Sequence, residues 1–115
     1  MRRGDVFLVD LEPVRGVEAN KRRPAVIVTN DEANNTTRRL GRGAVTVVPI
    51  TSNVSRVYPF QVFLPAAETG LSGDSKAQAE QVRSVDVARI GPRLGSLSLH
   101  LLEQLGAALR LHLDL

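Results

Sequence analysis

Short apolar runs dominate the pattern of hydrophobic and polar positions along this chain of 115 residues. Six of these runs are rich in β-branched, aromatic or small apolar side chains, which predicts β-strands. The predicted strands cover residues 4–10, 24–30, 44–51, 60–64, 76–85 and 90–94. The fifth run fits either a single strand or a bent one. The pattern therefore predicts a protein built mainly from short strands.

Two further segments have the polar and apolar pattern of α-helices. Residues 31–39 predict one or two helical turns, with Asn30 or Asp31 as the N-cap. Residues 98–113 predict a longer helix with Ser98 as its N-cap, because their apolar positions recur with a period of 3.6 residues. The chain is thus expected to end in a helix that packs on the strands.

The predicted C-terminal helix has one apolar stripe and two leucines outside it. The stripe consists of Leu101, Leu102, Leu105, Ala108, Leu109, His112 and Leu113. We therefore expect His112 to be half-buried, whereas His100 lies on the polar side and is expected to be solvated. Leu99 and Leu111 fall outside the stripe, which hints at a second contact such as a subunit interface.

Many short strands followed by one helix predict a mainly β fold, in the form of a small, strongly bent sheet or barrel. The length suits a single domain over residues 1–115, and 43% apolar with 23% charged residues is typical of a globular protein. No run approaches the ~18 apolar residues of a membrane span, and the first residues lack the apolar centre of a secretory signal. We therefore expect a cytoplasmic protein that does not contact a membrane.

Several kinds of chemistry are excluded by the residue types that the chain lacks or scatters. It has no cysteine, which excludes a disulfide, a thiolate nucleophile and a cysteine-based zinc site. Its two histidines, His100 and His112, are twelve residues apart on one predicted helix. That separation corresponds to about 18 Å, too far for joint action on one atom. The carboxylates have no spacing typical of metal ligands, so neither a metal nor a cofactor is expected.

Positive charge is concentrated in the first half of the chain. Residues 1–60 hold ten Lys/Arg and six Asp/Glu, a net charge of +4, whereas residues 61–115 hold five and six, a net charge of −1. Thirteen of the fifteen basic residues are arginine, whose planar guanidinium binds phosphate groups in a bidentate manner. A polyanionic partner suits this distribution. The alternative interpretation is a surface whose arginines serve only solubility and ion pairs.

The candidate chemistry lies around the connection between the first two predicted strands, at residues 12–23. This connection is long, because most hairpin loops have about two to five residues. Arg22 and Arg23 at its end, with the hydroxyls of Thr51 and Ser52 after the third strand, form a set suited to binding phosphate. Glu18 in the connection is a candidate proton acceptor. The set suits attack of an RNA 2′-hydroxyl on its own adjacent phosphate, while a solvated turn and ordinary strand termination remain the alternatives.

An ordered series of short motifs resembles the MazF/PemK family of toxin endoribonucleases. The series is Gly16-x-Glu18, then Arg23-Pro24-Ala25-Val26, then Ile50-Thr51-Ser52, then Gln81-x-Arg83-Ser84-x-Asp86. It covers nearly the whole chain in the family's order and spacing. The resemblance implies an SH3-like small β-barrel with a C-terminal α-helix, of the MazF/PemK/CcdB kind, acting as a homodimer. It also implies that a cognate MazE-like antitoxin inhibits the toxin by covering its RNA groove.

The activity implied by the resemblance is sequence-specific cleavage of single-stranded RNA without a metal. The implied products carry a 2′,3′-cyclic phosphate and a 5′-hydroxyl. Arg23 matches the family's catalytic arginine, and Thr51 matches its catalytic threonine. Glu18 matches a loop glutamate that is implicated in some members.

Further residues are expected to bind the RNA. The basic ones could bind successive phosphates along the RNA, and Ser52, Gln81 and Arg83 match positions that line the groove in relatives. Tyr58 and Phe60 are the aromatic side chains near the expected groove that could stack on a base, with core packing as the alternative. The expected RNA-binding residues are Arg15, Asn20, Lys21, Arg22, Ser52, Asn53, Arg56, Tyr58, Gln81 and Arg83.

Three other functions remain as alternatives at this stage. The first is a non-catalytic toxin of the same fold that binds DNA gyrase. The second is a module that binds single-stranded RNA without cleaving it. The third is an inactive relative that only sequesters an antitoxin. Intact Arg23 and Thr51 argue against the first of these, whereas only a cleavage assay separates the other two from a catalytic toxin.

Overall fold

The computed structural model describes residues 1–11 and 22–115, which form seven strands, three α-helices and two 3-10 helices. The strands are β1 (Asp5–Asp10), β2 (Arg22–Ile27), β3 (Ala44–Thr51), β4 (Gln61–Leu64), β5 (Ser75–Gln78), β6 (Arg83–Asp86) and β7 (Ile90–Ser96). The α-helices are α1 (Asp31–Leu40), α2 (Ala66–Thr69) and α3 (Leu99–Leu113), and the 3-10 helices are Ala79–Gln81 and Val87–Arg89. None of the described helices is both long and apolar enough to cross a membrane.

All six predicted strands are present, and the third has the predicted bounds. The fifth is bent, as one of the two alternatives allowed, because the 3-10 helix at Ala79–Gln81 separates β5 from β6. Helix α2 was not predicted. Its four residues lie between Pro65, which fixes an extended N-cap, and Gly70, whose φ of 82° ends the helix.

One antiparallel sheet carries the strand order β4-β5-β3-β2-β1-β7, and β6 pairs with β3 beside this path. Strand β3 is central because it pairs with β2 along its middle, with β6 near its start and with β5 at its end. The described strands do not close the sheet, since β4 and β7 at the two ends of this order do not pair with one another. The predicted small, bent β fold with a terminal helix is confirmed, in the form of an open rather than a closed barrel.

The strands bury apolar side chains on both faces. One face includes Val26 and Val48 and packs against Leu105 of α3. The opposite face forms a second cluster that includes Ile27 and Val47. Consecutive strand residues point to opposite faces, and because both faces are buried, the apolar runs in β2 and β3 are nearly continuous.

Helix α3 begins as predicted, because the hydroxyl of Ser98 accepts a hydrogen bond from the Leu101 backbone N–H at 3.2 Å. Its buried residues Leu101, Leu105 and Ala108 belong to the predicted stripe. The expectation that His112 is half-buried is wrong, since His112 is exposed like all residues from 111 to 115. Helix α3 packs on β4 and on the first 3-10 helix, and the exposure of residues 111–115 shows that no described element covers the end of the stripe.

Gly95 in β7 allows a close approach between the backbones of β7 and α2. A Cβ atom on Gly95 would lie 1.9 Å from the carbonyl oxygen of Thr69. We therefore expect Gly95→Ala to lower the free energy of unfolding by about 3 kcal/mol, because β7 and α2 must separate. Gly73→Ala is the matched control, since nothing lies within 4 Å of its Cβ position. Urea unfolding followed by circular dichroism measures both, and equal midpoints for the two variants would contradict this packing.

Candidate active site

Strand pairing brings Arg23 and Thr51 to the same point of the sheet. Strands β2 and β3 are antiparallel, with Ala25 opposite Pro49. The same register, continued by two residues, places Arg23 opposite Thr51 where β2 begins and β3 ends. Both residues line one surface cavity of about 330 Å³. The two residues that the sequence assigned to catalysis on separate strands are therefore neighbours.

Another wall of this cavity comes from the segment between α2 and β5 and from the first residue of β5. Leu71, Ser72, Gly73 and Ser75 line it, and they bring two further hydroxyl groups. No role is predictable for these residues from local sequence, because they become neighbours of Arg23 only through the pairing of β5 with β3. Hydroxyls and backbone groups suit the binding of a phosphate.

The electrostatics of the cavity favour an anion. Arg23 is exposed, and its guanidinium makes no hydrogen bond or ion pair with any residue in the ranges 1–11 and 22–115. No carboxylate is found among the described lining residues, which leaves the positive charge without compensation there. A guanidinium in this state can bind two oxygens of one phosphate through parallel hydrogen bonds.

Thr51 is oriented by its own loop. Its hydroxyl oxygen accepts a hydrogen bond from the backbone N–H of Asn53 at 3.3 Å. Because a hydroxyl can accept and donate at the same time, the proton of the Thr51 hydroxyl remains available to a phosphate oxygen. The side chain is partly exposed at the cavity, as such a donor requires.

The loop that follows Thr51 places three more of the predicted RNA-binding residues. Ser52 is exposed and lines the cavity. The side-chain oxygen of Asn53 is used inside the loop, where it accepts hydrogen bonds from the backbone N–H and the hydroxyl of Ser55 at 3.3 and 2.9 Å. Arg56 is exposed, and its Nη1 donates to the Tyr58 hydroxyl at 3.3 Å.

The two candidate aromatic residues stack on one another. The ring centroids of Tyr58 and Phe60 are 5.3 Å apart and the rings are nearly parallel, at 4°. The Arg56 guanidinium carbon lies 5.6 Å from the centroid of the Tyr58 ring. Tyr58 is 41% exposed, whereas Phe60 is half-buried, so Tyr58 is the one that presents an accessible aromatic surface.

Three of the predicted RNA-binding residues lie away from the cavity. Arg22 points to the opposite face from Arg23, and its Nη2 is 3.9 Å from the position of a Cβ on Gly91 in β7. Arg83 pairs with Val47 in β3, and its Nη1 donates to the carbonyl of Leu11 at 3.3 Å. Gln81 is exposed on the 3-10 helix between β5 and β6. The structure thus does not bring these side chains next to Thr51.

Four predicted site residues lie outside the described residues. They are Arg15, Glu18, Asn20 and Lys21, all in the connection between β1 and β2. One buried residue that the sequence analysis did not single out is Lys76, which pairs with Thr51 across β5 and β3 and is 7% exposed. Its alternation with apolar neighbours in β5 gave a signal for the strand but none for the burial of its charge.

The described residues contain no group of three or more His, Asp or Glu side chains that could hold a metal ion. The carboxyl group of Asp31, whose pKa is clearly shifted, is not among the residues that line the cavity. Asp31, at the start of α1, has its pKa lowered because its carboxylate accepts hydrogen bonds from the backbone N–H of Arg3 at 2.7 Å and from Asn34 at 3.3 Å. Its carboxylate links the backbone of Arg3, near the N-terminus, to the start of α1 and does not line the cavity.

Comparisons with known proteins agree with the fold and the motifs. Residues 2–113 match the family described as PemK-like, MazF-like toxin of type II toxin-antitoxin system. The chain is 59% identical to Endoribonuclease MazF9 of Mycobacterium tuberculosis, over 100% of this chain and 98% of that protein. It is 34% identical to Endoribonuclease MazF of Staphylococcus saprophyticus, over 100% of this chain and 92% of that protein. In the crystal structure of MazE-MazF from Deinococcus radiodurans, a chain with 28% identity superposes with a TM-score of 0.78, covering 100% of this chain and 96% of that one. The chain therefore belongs to the PemK-like, MazF-like family of toxins of type II toxin–antitoxin systems.

Proposed function

We propose that this chain is a toxin that cleaves single-stranded RNA at specific sequences, without a metal. The observation that carries the proposal is the cavity shared by the hydroxyl of Thr51 and the guanidinium of Arg23, which forms no ion pair with the residues that the structure describes. Support also comes from the relative named Endoribonuclease MazF9, which is 59% identical over the full length of the chain. The gyrase-binding alternative leaves this pair of residues without a use, and a purely RNA-binding module is distinguished by the absence of cleavage products.

In the proposed reaction the 2′-hydroxyl of the RNA attacks the adjacent phosphorus. The new O2′–P bond forms as the P–O5′ bond breaks, which leaves a 2′,3′-cyclic phosphate and a 5′-hydroxyl. Negative charge grows on the non-bridging oxygens in the transition state, where Arg23 and Thr51 donate to them. Glu18 is the proposed base that accepts the 2′-hydroxyl proton. A guanidinium stays protonated in proteins, so water or a group of the substrate protonates the departing oxygen.

The proposed partners follow from the same surface. Single-stranded RNA would extend from the cavity along Ser52, Arg56 and Tyr58, where cations and one accessible aromatic ring meet the needs of such a ligand. A MazE-like antitoxin would inhibit the toxin, in keeping with the MazE-MazF crystal structure from Deinococcus radiodurans. The active form would be a cytoplasmic homodimer, for which Leu99 and Leu111, 76% and 58% exposed on α3, offer apolar contact surface.

End-mapping of fragments from a long natural RNA tests the proposal. The purified toxin is incubated with the RNA in the presence and absence of EDTA. We expect a small set of cut sites that is the same in both, with a 2′,3′-cyclic phosphate on the upstream fragments and a 5′-hydroxyl on the downstream ones. An intact RNA, or cleavage that EDTA stops, would contradict the proposal.

A further inference from the structure

Lys76 is buried next to the candidate active site and bonds to the loop that leaves it. Its Cα is paired with that of Thr51 across β5 and β3, so the two are cross-strand neighbours about 5 Å apart. The side chain is 7% exposed, and its ammonium donates a hydrogen bond to the backbone carbonyl of Arg56 at 2.6 Å. The backbone of Lys76 is thus fixed beside Thr51, the proposed catalytic threonine. Its ammonium group holds the loop at Arg56, five residues after Thr51.

The same ammonium also lies against the accessible aromatic ring. Nζ of Lys76 is 5.8 Å from the centroid of the Tyr58 ring, and the guanidinium carbon of Arg56 is 5.6 Å from the same centroid. Cations at this distance are attracted to the face of an aromatic ring. Phe60 stacks on the ring at 5.3 Å, so Tyr58 is held from more than one direction.

A second buried contact fixes the far end of this loop. The backbone N–H of Tyr58 donates to the side-chain oxygen of Gln61 at 3.1 Å. Gln61 is buried, and its side-chain nitrogen donates to Glu80 at 2.7 Å. Lys76 and Gln61 therefore bracket Arg56 and Tyr58, and hold both in a defined position relative to Thr51.

A buried ammonium group below this loop is unfavourable for the stability of the fold. Burial of a charge costs free energy unless a partner compensates it. No carboxylate forms an ion pair with Lys76 within the part of the chain that the structure describes. An apolar side chain would fill the same volume without this cost, so the position of Lys76 is better explained by what its hydrogen bond holds than by stability.

We propose that Lys76 is a positioning residue for base recognition. It fixes Arg56 and Tyr58 as one wall of a slot for the RNA base next to the cleaved phosphodiester, and so contributes to the choice of cut site. The inference rests on the proposed function, and it extends that function by assigning base selection to the segment from Arg56 to Tyr58. Lys76 reaches the substrate only through this segment, so its loss should affect binding and choice more than the chemical step.

The test compares Lys76→Met with the wild-type toxin on short oligonucleotides that differ only in the base next to the cut. We expect the KM on the preferred substrate to rise about 10-fold and the preference for that base to be largely lost. The value of kcat should stay within about threefold, because Arg23 and Thr51 are untouched. Arg110→Met is the matched control, since it removes an exposed positive charge from α3, and it should leave both KM and base preference unchanged.

Chemical rescue separates a lost ammonium from a disturbed core. The chain has no cysteine, so Lys76→Cys can be alkylated selectively in denaturant and refolded. An aminoethyl group restores a side chain close to lysine, whereas a propyl group restores its length without the charge. Aminoethylation should recover KM and base preference, and propylation should not.

Three results would overturn the inference. One is a folded Lys76→Met variant with wild-type KM and base preference, the second is a loss confined to kcat, and the third is equal rescue by both alkyl groups. If the wild-type toxin leaves every RNA intact, it is the proposed function that fails. The binding of oligo-A, oligo-C and oligo-U then decides the role of Lys76, which is overturned if wild type and Lys76→Met rank the three alike.

Discussion

Arg23→Ala is expected to reduce the kcat of RNA cleavage by about 1,000-fold, the largest effect of any single substitution in this chain. The guanidinium is exposed at the cavity and makes no ion pair with the described residues, so its full charge is available to the transition state. A charged donor is roughly twice as strong as a neutral one, and its bidentate geometry also orients the phosphate. Removal therefore costs both stabilisation and alignment.

Single-turnover cleavage of a fluorescent oligonucleotide measures this effect, with the oligomeric state of the wild-type protein and the melting temperature as checks on folding. Arg23→Lys should recover only part of the rate, because an ammonium cannot donate two parallel hydrogen bonds. Arg22→Ala is the adjacent control: its side chain points to the other face, near Gly91, so kcat should change by less than about threefold. Cleavage by Arg23→Ala at near the wild-type rate would remove Arg23 from the proposed role.

The strands could be predicted because each is a local apolar run. Strand β3 has the predicted bounds since five of its eight residues are buried, on both faces, and nothing else in the sequence competes with that pattern. Helix α2 could not be predicted, because its four residues have no periodicity of their own and depend on Pro65, Gly70 and the close approach to Gly95. His112 is the opposite case, a residue with a local pattern but no covering element. The apolar stripe of α3 was predicted correctly, but no described strand covers His112.

The proximity of Arg23 and Thr51 was predictable only in part. Motif resemblance assigned both to the site, and the antiparallel pairing of β2 with β3 explains why they meet. The distinction between Arg22 and Arg23 requires the strand to begin at residue 22, which places the two on opposite faces. Local sequence did not define that start, since the predicted strand began at residue 24.

The remaining walls of the site depend on long-range contacts. Ser72 and Ser75 face Arg23 because β5 pairs with the end of β3, a consequence of topology that no local pattern contains. The burial of Lys76 also runs against residue-type statistics, which place lysine at the surface. Its only sequence signal was the strand alternation, which predicts a side chain on one face without saying what covers that face.

Thr51→Val should lower kcat by about 100-fold, less than Arg23→Ala because a neutral hydroxyl is a weaker donor than a guanidinium. Valine keeps the shape and β-branching of threonine, so the end of β3 and the cavity should persist. The substitution removes the proton donated to the phosphate and the oxygen that accepts the Asn53 backbone N–H. KM should change little, since the lost interaction strengthens mainly as charge develops on the phosphate.

Thr51→Ser separates these two losses from a change in packing. Serine keeps a hydroxyl that can accept from Asn53 and donate to the phosphate, so we expect kcat within about 10-fold of the wild-type value. The same single-turnover assay compares the three proteins, each in saturating excess over the RNA. If Thr51→Val cleaves as fast as Thr51→Ser, then the hydroxyl is not a transition-state donor, and Arg23 with Ser52, Ser72 or Ser75 must stabilise the phosphate instead.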